Sequence, residues 1–368
     1  MSDLGLFMAV APGLEKALAE EALEKGFADV RAVPGGVEAR GDWAEVWRAN
    51  LEMRGAARVL VRVGEFRAFH LAQLDKRARK FPWGEVLRAE MPVRVEVTCK
   101  RSKIYHAGAA AQRIEKAISE ELGAEISKEA RIAVKVRIDD NLVVISLDSS
   151  GEALHKRGLK LAVGKAPMRE NLAGLFLGQA AYRADMPVVD PMCGSGTFPI
   201  EAAEIALGMQ PGRARRFAFE EFASFDAARF GEMRREGPAR ETGLRFYGYD
   251  RDSGAIKGAG ENAARAGVGE ICSFACQPLS DLQPPEGAPG LVMVNPPYGA
   301  RIGNRKLLFG LYGSLGTVLK ERFKGWRVGL VTSDGGLAKA CDLPFEAGDT
   351  VAHGGLKVRL YRCGPLGR

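Results

Sequence analysis

Two rhythms of apolar residues divide this chain. In the first part, short alternating runs and short helical stripes follow one another twice. Leu6 to Val10 is strand-like, and Pro12-Gly13 opens a stripe at Leu14, Ala17, Leu18, Ala22 and Leu23 with helical spacing. Pro34-Gly35-Gly36 marks a turn, after which Val37 to Arg40 alternates as a strand does. Trp43, Val46, Trp47, Ala49 and Leu51 predict another helix, and Val59 to Val63 returns to strand character. The second round begins with the period-two run Val93 to Val97. Ala109 to Leu122 is helical, with Ile114, Ala117 and Ile118 on one face. Ala133 to Ile138 and Leu142 to Leu147 alternate again about a turn at Asp139-Asp140-Asn141. We expect two small α+β units, at residues 1–64 and 65–155.

From residue 156 the grammar changes. Strand-like runs end at Asp190, Asp250, Asn295 and Thr332, and helical stretches lie between them through Leu207, from Ile256 to Ala266, and from Leu307 to Phe323. Single alternation of strand and helix predicts a doubly wound α/β sheet over 156–368, with ligands at the carboxyl ends of its strands. Residues 208–242 read as a polar, Arg-rich insertion between the first helix and the second strand.

Composition narrows the class. With 368 residues, 46% hydrophobic and 27% charged, the chain fits a soluble protein of two or three domains. No apolar run approaches the roughly 20 residues of a membrane helix. The first residues lack the basic region and apolar stretch of a signal peptide, so a cytoplasmic location is the default. Of six cysteines only Cys272 and Cys276 lie close, and the four histidines form no ligand spacing, so no metal is expected. The net charge of +7 is uneven. Residues 1–64 carry 8 basic and 10 acidic side chains, residues 65–160 carry 19 and 14, and the rest carries 26 and 22. The middle segment holds Lys76, Arg77, Arg79 and Lys80 before Phe81, then Lys100, Arg101 and Lys103 before Tyr105. Such clusters beside aromatics suit a polyanion, and equally a solvated charged face.

Two motifs carry chemistry. Asp190-Pro191-Met192-Cys193-Gly194-Ser195-Gly196-Thr197 joins a strand to a helix, and its two glycines let backbone approach a ligand. Pro199 stands where a dinucleotide fingerprint has its third glycine, and Asp190 would repel a pyrophosphate. An acidic strand end favours a ligand with cationic groups and hydroxyls; S-adenosyl-L-methionine fits. Asp250, ending the next strand, suits ribose hydroxyls. The alternative is that both acids cap turns or helices. The second motif is Asn295-Pro296-Pro297-Tyr298 after the apolar run Leu291 to Val294. It offers an amide oxygen, a free proline carbonyl and a flat ring, which together can hold a planar amine. Read blandly, the prolines end a strand and Tyr298 caps the core.

These segments together resemble the class I S-adenosylmethionine-dependent RNA methyltransferases that carry a THUMP domain. The order of DPMCGSGT (190–197), GYD (248–250) and NPPYG (295–299) carries the likeness. So do HKRGLK (155–160), KAPMRENLA (165–173), FAFEEFASFD (217–226) and HGGLKVRLYR (353–362). Within that family the chain is similar to the bacterial guanine-N2 methyltransferases of large-subunit rRNA and to related tRNA enzymes. The resemblance implies a ferredoxin-like domain at 1–64, a THUMP RNA-binding domain at 65–155 and a Rossmann-fold catalytic domain at 156–368. It implies Asp190, Cys193, Gly194, Ser195 and Gly196 around the methionine end of the cofactor, and Asp250 on its ribose. Gln277 stands where the family often has an acidic residue near the adenine, with Asp281 close by as a substitute. Asn295 and the Pro296 carbonyl would accept from a guanine amine, with Pro297 shaping the loop and Tyr298 stacking on the base. Lys100, Arg101, Lys103 and Arg301 are the expected RNA contacts. No general base and no obligate protein partner are implied. The same tetrapeptide serves adenine-N6 DNA and glutamine protein methyltransferases, which the two N-terminal units disfavour. A non-catalytic RNA-binding assembly factor is the remaining alternative.

Overall fold

The turn at Asp140-Asn141 shows local sequence deciding backbone shape. Both residues take positive φ, 49° and 59°, as a two-residue type I′ hairpin requires. The computed structural model describes residues 3–162, 168–298 and 305–367. Its strands in chain order are β1 (Leu4–Ala9), β2 (Ala28–Val33), β3 (Gly36–Gly41), β4 (Arg58–Arg67), β5 (Val93–Lys100), β6 (Ile132–Asp139), β7 (Leu142–Asp148), β8 (Val188–Asp190), β9 (Phe246–Asp250), β10 (Cys272–Cys276), β11 (Leu291–Val294), β12 (Arg327–Thr332), β13 (Glu346–His353) and β14 (Leu356–Cys363). The helices are α1 (Glu15–Glu24), α2 (Trp43–Glu52), α3 (Leu71–Arg79), α4 (Ala107–Leu122), α5 (Glu170–Gln179), α6 (Thr197–Ala206), α7 (Ala227–Met233), α8 (Ser253–Ala266), α9 (Arg305–Arg322) and α10 (Gly335–Ala340). None of the described helices is long and apolar enough to cross a membrane.

The chain forms two units. The first comprises Met1–Val10, Ala19–Leu154 and Arg215–Arg234. Its seven strands make one sheet in the order β2-β3-β1-β4-β7-β6-β5. Residue 64, the expected boundary between the two small units, lies inside β4. That strand pairs antiparallel with β7 from Leu60↔Asp148 to Arg67↔Leu142. Helix α4 buries Ile114, Ala117 and Ile118 as its spacing predicts.

The segment expected as a polar insertion is in part core. Phe217, Phe219 and Phe222 are fully buried, and Phe230 nearly so. Trp47 of α2 stacks on Phe219 at 6.2 Å between ring centroids and meets Phe230 edge-on at 6.3 Å. Each buried ring contributes about 1.5–3 kcal/mol. The many arginines of 208–242 hid this aromatic row, whose partner Trp47 lies far away in sequence.

The second unit comprises Ala11–Leu18, His155–Ala214 and Arg235–Arg368. Its sheet runs β10-β9-β8-β11-β12-β14-β13. The first five strands are parallel, and β14 is antiparallel to both its neighbours. Leu308, Tyr312, Leu315 and Leu319 form the buried stripe of α9 against Val292, Val294, Val328 and Leu330. From β8 the chain steps outward to β9 and β10, then returns to place β11 on the other side. In sheets of this kind ligands bind beyond the carboxyl strand ends at such a reversal, here β8 and β11.

Candidate active site

The loop leaving β8 is held by backbone and glycine geometry. Gly194 and Gly196 take φ of 50° and 77°, values that glycine adopts without strain. Cys193 N–H donates to the Tyr249 carbonyl at 2.8 Å, and Gly194 N–H donates to Asp250 Oδ2 at 3.0 Å. A Cβ on Gly248 would stand 2.5 Å from Phe274 and 3.0 Å from Cys193 Sγ, so the loop needs glycine beneath it. A Cβ on Gly194 would meet nothing within 4 Å, which leaves open space on that side of the loop. Gly196 is the N-cap of α6 and supplies no side-chain cap, so amides of the first turn are left for another acceptor.

Two carboxyls face this loop. Asp190 is 2% exposed and accepts from Met192 N–H at 3.0 Å. Burial, and then the Asp250 carboxylate, push the Asp190 carboxyl well above its ordinary value. Burial and the same two acids also raise the Cys193 thiol. A cationic ligand group would relieve this excess of negative charge. Asp250 caps no helix: α8 is capped by Asp252, which accepts from Gly254 and Ala255 N–H. Asp250 instead binds Gly194 through Oδ2, and its Oδ1 accepts from Asp252 N–H at 3.0 Å. Gln277 N–H donates to the Asp250 carbonyl at 3.0 Å, which fixes the next strand end beside it. Asp281 is exposed on a short 3-10 helix, where Ser280 Oγ donates to it at 2.9 Å.

Strand β11, between β8 and β12, brings the tetrapeptide to the same edge. Asn295 Oδ1 is buried and has no hydrogen-bond partner. Pro296 is buried, and the Pro297 carbonyl accepts from Tyr312 Oη at 3.4 Å. The Tyr298 ring packs against the α9 core. Burial pushes its phenol up to about 12, so it stays neutral through the physiological range.

The basic candidates lie in the first unit. Lys100 ends β5 and is exposed. Arg101 pairs with Asp139 at 3.0 Å, and Arg137 shares that carboxylate at 2.6 Å. Lys103 Nζ lies 5.6 Å from the centroid of Phe69, and Tyr105 is 84% exposed. The upstream cluster lies at the end of α3, where Arg79 is tied to Asp75, Glu120 and Glu121 and braces α3 against α4. Arg301 lies outside the described residues. Among the described residues no group of three His, Cys, Asp or Glu side chains is arranged to hold a metal.

The acidic glycine loop and the unpartnered amide oxygen thus follow the neighbouring strands β8 and β11, and known methyltransferases resemble the chain that carries them. Residues 157–351 match the family described as "UPF0020: RMKL-like, methyltransferase domain", and the chain belongs to it. Residues 5–60 match the RlmL ferredoxin-like domain. A Synechocystis sp. protein named "Putative RNA methyltransferase" is 32% identical over 97% of this chain and 95% of its own length. Two solved structures each have a TM-score of 0.88. A "predicted N6-adenine-specific DNA methylase" from Listeria monocytogenes is 30% identical over 99% of this chain and 97% of that one. SMU.472, solved in complex with SAH (S-adenosylhomocysteine), is 26% identical over the whole of both chains. The family is S-adenosylmethionine-dependent, and the raised Asp190 carboxyl and the space beside Gly194 fit a cofactor with cationic groups.

Proposed function

We propose that this chain methylates RNA, on the exocyclic N2 amine of a guanine, in 23S rRNA in preference to tRNA. The observation that carries the reading is the buried, unpartnered Asn295 Oδ1 at the end of β11. Leaving such an acceptor empty costs about 1–3 kcal/mol; a substrate amine N–H fills it. The Pro296 carbonyl accepts a hydrogen bond from the second amine N–H, and Tyr298 takes the face of the extruded base. An exocyclic amine is a poor nucleophile because its lone pair is delocalised into the ring. Two acceptors orient that lone pair and stabilise charge developing on nitrogen. When bound, S-adenosylmethionine supplies an electrophilic methyl group. Asp190, Cys193, Gly194, Ser195 and Gly196 hold its methionine end. Asp250 holds the ribose hydroxyls, and Gln277 or Asp281 contacts the adenine.

RNA as substrate is supported by the name of the Synechocystis relative and by the basic excess of residues 65–160, most of which is the segment 65–155 that resembles a THUMP domain. Guanine N2 and rRNA rest on the resemblance of the motifs. The name of the Listeria structure supports a second reading, adenine N6 in DNA, since that amine suits the same two acceptors. Incubation with labelled cofactor and unmodified 23S rRNA, tRNA or DNA, followed by nucleoside analysis, separates the two. N2-methylguanosine in rRNA is expected; N6-methyladenine in DNA would transfer the assignment, and no labelled nucleic acid would refute both.

A further inference from the structure

The segment HKRGLK and the Met168-Arg169-Glu170-Asn171 stretch take no part in the acceptor chemistry, yet they are anchored in the second unit. Buried Arg157 pairs with Glu201 at 2.7 Å and Glu204 at 3.2 Å, both on α6, and Arg213 holds Glu204 from the other side at 2.6 Å. Lys160 Nζ donates to the Met168 carbonyl at 2.7 Å and to Thr197 Oγ1 at 3.2 Å, and pairs with Glu170 at 3.2 Å. Asn262 of α8 is 1% exposed. Its Nδ2 donates to the Ala162 carbonyl at 2.8 Å and the Ser195 carbonyl at 3.0 Å. Its Oδ1 accepts from Leu161 and Ala162 N–H at 3.2 and 3.1 Å, and from Arg265 Nη2 at 2.6 Å. The contact surface of α8 is kept small: a Cβ on Gly258 would stand 3.0 Å from the Ala162 Cβ.

We infer that Asn262 and Lys160 are positioning residues for the cofactor, clamping the glycine loop to the chain segment behind it. The inference rests on the reading that loop 190–197 takes the cofactor. Asn262 acts as a one-residue strand. It exchanges two bonds with the Ala162 backbone and gives its remaining N–H to Ser195, the residue between the two positive-φ glycines. Glycine-rich backbone loses much conformational freedom on ordering. A clamp fixed before the ligand arrives removes that cost from binding. Lys160 fixes the other end of the loop through the Thr197 hydroxyl.

Calorimetry of the full chain with S-adenosylhomocysteine tests this. Asn262→Asp keeps the shape but replaces the donor with a carboxylate oxygen that faces two carbonyls, so the Kd weakens by about tenfold or more. Lys160→Met weakens binding by about three- to tenfold. A Kd within about twofold of wild type in both variants overturns the inference. Should Asn262→Asp not fold, the Kd of Lys160→Met decides alone. Asp250→Ala separates the two levels. If it too binds normally, the loop reading itself fails; if it loses binding while the clamp variants do not, only the clamp fails.

Discussion

Asn295→Ala is expected to raise stability slightly while abolishing most turnover. The unpartnered Oδ1 costs about 1–3 kcal/mol in the free protein, and truncation removes that cost. Lost packing of a half-buried side chain offsets most of it, leaving a net gain of about 0–1 kcal/mol. For a unit of this size 1 kcal/mol corresponds to about 2–4 °C in Tm. Turnover loses a transition-state acceptor, for which about 10²–10³ in kcat is typical. Single-turnover methyl transfer at saturating cofactor reads the second quantity, scanning calorimetry the first. The Kd for S-adenosylhomocysteine should not move. Turnover near the wild-type rate would refute the role of Asn295. A large drop in Tm would show that the amide is structural.

Three further expectations concern the cofactor loop and the RNA grip. The raised Asp190 carboxyl favours the free protein when protonated, a benefit lost as pH rises through its elevated value. The Tm gain given by S-adenosylhomocysteine should therefore shrink as pH falls toward that value, and a pH-independent gain would refute the ammonium contact. Gly194→Ala at φ 50° should fold at a backbone cost of about 1–2 kcal/mol. It should weaken cofactor binding at least about tenfold by projecting a methyl into the open side of the loop; an unchanged Kd would place the cofactor elsewhere. Replacing Lys100 and Lys103 by Ala together should lower the slope of log K for RNA against log salt by about 1–2. Arg101→Ala should do less, because Asp139 already holds that guanidinium; an unchanged slope in the double variant would make the cluster ordinary surface.

Much of the second unit's sheet was legible because β8 and β9 end in Asp190 and Asp250 and β11 stops just before Asn295, residue types that strands rarely hold. Asp190, Asp250 and Asn295 raised the expectation of a ligand edge before any topology was known. The type I′ turn at Asp140-Asn141 was equally plain, since local backbone preference decides it. Strand β10 was not, because Cys272 to Cys276 is short and lacks clear alternation. The aromatic row at 217–230 escaped because burial depends on a partner, Trp47, that periodicity cannot reveal. Asn262 escaped for a related reason: its bonds go to backbone groups 100 and 67 residues away, and a lone Asn on a helix carries no signal. The sequence did mark Lys160, within HKRGLK, but as a family segment without a stated task.

The ladder between β4 and β7 bears on how this protein can be cut or recombined. A break after residue 64 would strip the pairing from the last residues of β4 and leave β7 an open edge. Unpaired rows of N–H and C=O groups recruit other chains, so either fragment alone should aggregate or swap strands with its copies. The match to a ferredoxin-like domain at 5–60 marks a unit of ancestry, whereas the compact unit is the seven-stranded sheet together with residues 215–234.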